Sequence, residues 1–117
     1  MLTALLLIAG HFIGDWFCQT RYMARNKSKY ISVLLMHVLI VVCVLNTFLL
    51  IVKDFNDIYI PLLIYGLAHG IQDWFIWRIY ARYYYNPQRG NDDNPAFFNT
   101  IAIDQMLHLG LLVYLFC

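Results

Sequence analysis

The chain has 117 residues, 62% of them hydrophobic and only 13% charged, with a formal net charge of +1 and a mean hydropathy of +0.60. That balance is too apolar for an ordinary soluble domain and places the chain in a bilayer. It implies no nucleic-acid partner, and the informative feature is where Lys and Arg fall relative to the apolar runs.

A hydrocarbon core about 30 Å thick takes roughly 20 helical residues to cross, and four stretches have suitable length. The first covers residues 2–20. No basic segment precedes it and no small-x-small pattern follows before Arg21, so it is expected to stay attached as a helix. A loop with Arg21, Arg25, Lys27 and Lys29 and no acid comes next. The second helix is expected over 31–52, up to the turn Lys53-Asp54-Phe55-Asn56-Asp57, and the third over 58–84. Residues 86–95, with two prolines and a glycine, interrupt the pattern. Asn94-Pro95 then reads as N-cap and first-turn proline of the last helix, 96–116. The expected fold is all-α: one domain, an integral membrane four-helix bundle.

Arg78, Arg82 and Arg89 mark the end of the third helix and its loop, whereas the opposite side carries only Lys53. The positive-inside bias then puts both basic ends in the cytoplasm of a bacterial inner membrane and both termini outside. Trp77, Tyr80, Tyr83, Tyr84 and Tyr85 fit a cytoplasmic interfacial belt. Cys18, Cys43 and Cys117 form no C-x-x-C and read as reduced packing residues. The segments 10–17 and 68–75 share His, Asp, Trp and Phe at matched positions and run in the same direction, the mark of a duplicated helical hairpin. Gly10-x-x-x-Gly14 and Gly66-x-x-x-Gly70 permit close helix packing.

The polar residues carry the functional signal. His11 and Asp15, His69 and Asp73, and Asp104 and His108 are each four apart, which stacks each pair on one helix face. Gln19 extends the first stripe, Tyr65 the third, and His37 adds a group from the second helix. Measured from the basic loops and from Pro95, all lie at similar depth in the cytoplasmic half. An Asp at mid-membrane costs about 2.5–3.5 kcal/mol, so three need compensation. A divalent cation provides it: carboxylate and imidazole suit zinc first, with iron or manganese as alternatives. Four His and three Asp exceed one catalytic zinc, which points to one ion with supporting groups or to two ions. A metal-free His–Asp network or proton relay is the alternative. No Ser or Cys nucleophile and no glycine-rich phosphate loop has recognisable spacing.

The ordered set His11-Phe-Ile-Gly-Asp15-Trp-Phe-Cys-Gln19-Thr, Met23-Ala-Arg-Asn-Lys27, His37, His69-x-x-x-Asp73 and Ile103-Asp104-Gln105-x-x-His108-Leu resembles the small bacterial and phage membrane proteins of domain-of-unknown-function family 3307. That label implies no activity. A looser resemblance, to membrane-bound metal-dependent hydrolases, implies that His11, Asp15, His69, Asp73 and His108 hold metal. It further implies that Asp104 or His37 serves as supporting group or general base, with Gln19, Gln105 and Tyr65 as hydrogen-bonding partners. The expected function is a metal-dependent hydrolase near a basic rim, acting on a phosphate-containing membrane lipid. The alternative is a non-enzymatic protein that conducts ions or protons or modifies an envelope process. A bundle this small also leads to the expectation of a homo-oligomer.

Overall fold

The computed structural model describes residues 1–88, 90–91 and 94–117. Arg89, counted above with the second basic end, lies outside the described residues. Every regular element among those described is helical. Helix α1 (Leu2–Phe12) passes directly into a π-helical turn (Ile13–Phe17). A short α2 (Arg21–Asn26) precedes α3 (Ile31–Leu49). Helix α4 (Phe55–Ile79) runs through Pro61 and ends in a second π-helical turn (Tyr80–Tyr84), and α5 spans Pro95–Phe116.

The boundaries follow local chemistry. Asn94 caps α5 by accepting the Ala96 N–H, with Pro95 in the first turn, as expected. The basic segment, expected as a loop, is partly helical because Thr20 accepts the Met23 N–H and caps α2. The first helix stops at Phe17 rather than at residue 20.

The four long runs pack as a ring: α1 against α3, α3 against α4, α4 against α5, and α5 back against α1. The diagonal pairs share no backbone contact among the described residues. Glycines set the spacing around α3. A Cβ on Gly14 would lie 3.1 Å from Val41 Cα, and one on Gly66 would lie 3.0 Å from a Val42 methyl. Leu7, Val41, Leu45, Leu49, Ile58, Leu62 and Leu112 fill one half of the interior.

The outer surface is apolar too: Leu35, Leu39, Leu63, Leu67 and Met106 all point outward. The three cysteines are free, as expected, but they are exposed on this surface rather than packed inside. Helices α3 and α5 are long and apolar enough to cross a membrane. The other two runs expected to span fall short of that test. The first is curtailed at Phe17, and α4 is diluted by His69, Gln72, Asp73 and Arg78.

Candidate metal centre

All seven ionisable groups singled out from the sequence meet inside the bundle, none more than 2% exposed. The order of residues on each helix explains the convergence. His precedes Asp by four on α1 and α4, whereas Asp precedes His by four on α5. Because α5 returns antiparallel to α4, the reversed order keeps the carboxylates near the same end of the bundle.

At the centre, Asp15, His37, His69 and Asp73 offer donor atoms within 4.8 Å of one another. His37 Nε2 lies 3.0 Å from Asp15 Oδ1, 3.2 Å from Asp73 Oδ2 and 3.2 Å from His69 Nε2. His69 Nε2 lies 3.2 Å from Asp73 Oδ2 and 3.5 Å from Asp15 Oδ1. These are five of the six edges of a four-donor cluster; in a regular tetrahedron of such edges the centre would lie ~1.8–2.1 Å from each donor, close to the ~2.0–2.2 Å of zinc bonds to nitrogen and oxygen.

The surrounding hydrogen bonds fix where protons sit. Gln105 Nε2–H donates to Asp15 Oδ2 at 2.9 Å, so its Oε1 is the acceptor for His11 Nε2–H, at 2.7 Å. Neutral His11 then accepts the Tyr65 hydroxyl on Nδ1 at 3.1 Å. The Tyr65 oxygen accepts in turn from His69 Nδ1–H, also at 3.1 Å. With a neutral imidazole this order makes His69 Nε2 the acceptor in its 3.2 Å hydrogen bond with His37 Nε2, on the side that faces the carboxylates. Asp15 Oδ1 and both Asp73 oxygens make no hydrogen bond of acceptable angle. Electron pairs crowding one buried point call for positive charge, which the Lys27 ammonium, a protonated histidine or a metal ion could each bring.

The geometry therefore divides the expected residues. His37 falls with Asp15, His69 and Asp73 in one set of candidate donors, beside the supporting or basic role that the resemblance implies for it. His11, with both nitrogens engaged in hydrogen bonds, orients Tyr65 and so His69. Tyr65 and Gln105 make the supporting contacts expected of them, whereas Gln19 makes no such bond: the helix ends at Phe17, and the four-residue stacking ends with it. His108 stacks on His69, with centroids 4.0 Å apart, and has its Nε2 3.7 Å from Asp104 Oδ1.

Three neighbours, Lys27, Trp77 and Tyr80, have no site role in the sequence reading. Lys27 is 4% exposed and places Nζ 3.1 Å from Asp73 Oδ2. Trp77 Nε1–H donates to Asp104 Oδ2 at 3.4 Å, and Tyr80 is buried with its hydroxyl donating to Asn91. These two aromatics turn inward, while Tyr83, Tyr84 and Tyr85 stay exposed. Lys27 has the same charge as Arg21, Arg25 and Lys29 around it, and its position at the end of α2 sets it apart from them.

A cleft of 680 Å³ opens onto the centre from the basic end. Asp15, Asp104 and Gln105 form its floor, Trp77, Tyr80 and Phe97 one wall, and Arg21, Arg25 and Lys29 its mouth. No curated protein and no solved structure matches the chain. Over residues 1–117 it matches the family described as "Protein of unknown function (DUF3307)", and it belongs to that family.

Proposed function

We propose that the protein is an integral membrane hydrolase dependent on a divalent metal, zinc foremost, acting on a phosphate-containing lipid at the cytoplasmic face. The observation that carries this reading is the buried convergence of Asp15, His37, His69 and Asp73, whose donor atoms lie within 4.8 Å of one another. The polar interior and apolar exterior support a four-helix bundle in lipid, with two helices of spanning length and hydropathy. Arg21, Arg25, Lys27, Lys29, Arg78 and Arg82 gather at one end against Lys53 at the other, which supports a cytoplasmic mouth. The shared His, Asp, Trp and Phe of α1 and α4, on diagonal helices, fit a duplicated hairpin.

A divalent ion held by this cluster beside the cleft would supply a Lewis acid that brings a water's pKa towards 7. The chain's own groups do the rest. The cationic mouth attracts the phosphate, and the aromatic wall accommodates the apolar body that follows it. Asp104 keeps Oδ2 on Trp77 and leaves Oδ1 without a hydrogen bond, available to accept a proton from the attacking water. The alternative reading, ion or proton conduction, is disfavoured by the apolar half, where Leu7, Leu45, Leu49, Ile58 and Leu112 pack into one cluster.

The test is metal content by mass spectrometry after purification in detergent without chelators, beside turnover of phosphate-ester lipids. Wild type is expected to retain metal and to lose turnover on chelation, and His69→Ala to lose both. Metal-free wild type would overturn the proposal.

A further inference from the structure

Four protein donors close a tetrahedron, and a closed site characterises structural rather than catalytic zinc, which keeps a position open for water. The groups left over supply what is missing. His108 is fully buried, and both of its ring nitrogens lack a hydrogen-bond partner. Its Nε2 lies 3.7 Å from Asp104 Oδ1 and 4.0 Å from Asp73 Oδ1, and neither of those oxygens makes a hydrogen bond. These three residues offer donor atoms within 4.8 Å of one another.

We infer that Asp73, Asp104 and His108 form a second divalent-metal site beside the first, joined to it through Asp73 and open to the cleft for a phosphate-bearing ligand. This inference rests on the metal reading above and extends it. Asp73 provides the join, because Oδ2 faces His37 and His69 while Oδ1 faces His108. The donor spacing provides the open face. Separations of 3.7 and 4.0 Å are near the ~3.6 Å edge of three donors spread around an ion at about 2.1 Å, an arrangement that leaves positions for water. The remaining candidate set, His11, Asp15 and His108, is less suited, since His11 spends both nitrogens on Gln105 and Tyr65.

Charge explains why the open site needs an anion. Asp15, Asp73 and Asp104 face one buried ammonium, that of Lys27, which leaves two negative charges. One divalent ion cancels them. A second leaves two positive charges in a buried site, and a phosphate monoester dianion, or a hydroxide with a phosphodiester, restores balance. Asp104 then serves as ligand rather than proton acceptor. With both ions bound, the acidity of a water at the open face would come from the ions, and Asp104 would act as proton acceptor only where the second site is empty.

The experiment counts ions. Chelator-stripped protein in detergent is equilibrated with zinc, with and without inorganic phosphate, desalted and measured by mass spectrometry; manganese loading with electron paramagnetic resonance reports whether two ions are coupled. The expected result is two ions per chain with phosphate, a coupled manganese spectrum, and one ion in both His108→Ala and Asp104→Asn. A wild type holding one ion in every condition would overturn the second site while leaving the first intact. So would a His108→Ala protein that still binds two. Wild type that binds none would overturn both readings, and the sources of phosphate are separated by repeating the count with vesicles containing phosphatidic acid.

Discussion

At one end of the bundle Leu7, Leu45, Leu49, Ile58 and Leu112 pack into one apolar cluster; at the other, His11, His37, His69 and His108 take up the interior with three carboxylates. The same four long helices build both ends. The apolar end gains free energy by packing, because interior contacts are close and numerous. The polar end loses it, since several of its buried oxygens and nitrogens have no partner. One half thus holds in place the geometry that the other half cannot hold alone.

Separating the two roles by substitution tests that contrast. The largest effect on stability is expected in the apolar half: Leu45→Ala, at a fully buried position, is expected to cost about 2–5 kcal/mol and to lower the thermal midpoint in detergent, with bound metal unchanged at low temperature. Loss of metal together with stability would mean that the halves are not independent. Next comes Tyr65→Phe, which keeps the ring and removes the hydroxyl between His11 and His69. Metal affinity is expected to fall about 10–100-fold in a competition titration with a chromogenic chelator, as for other groups that orient a ligand. The smallest effect belongs to the outer face: Leu67→Ala, 72% exposed, is expected to change stability by less than about 0.5 kcal/mol in detergent. A larger loss there would point to a protein neighbour covering that face.

The sequence revealed what depends on helical period. The three pairs spaced by four residues, and His37 at matching depth, could be placed together before any coordinates because each spacing is local and the basic loops provide a common ruler. Asn94-Pro95 was legible for a similar reason: capping is chemistry between near neighbours. What could not be read depends on contacts across the bundle. Nothing in Cys18-Gln19-Thr20 announces that the first helix tightens into a π turn and ends at Phe17. Trp77 and Tyr80 have the composition of an interfacial belt, and only the position of α5 turns them inward to Asp104 and the Asn91 side chain. Lys27 looked like its basic neighbours, yet it alone among the four residues of that segment reaches a carboxylate. The hydrogen-bond partners of the His11 ring nitrogens, Tyr65 and Gln105, likewise come from other helices.

Gly14 contributes no functional group, and it precedes Asp15 by one residue where α1 comes within van der Waals reach of the α3 main chain. Any side chain there would push against Val41 Cα, which cannot rotate away, and the displaced α1 would carry the Asp15 carboxylate away from His37. A random-mutagenesis screen for inactive clones should therefore return Gly14 among the histidines and aspartates, marking a position whose contribution is empty space.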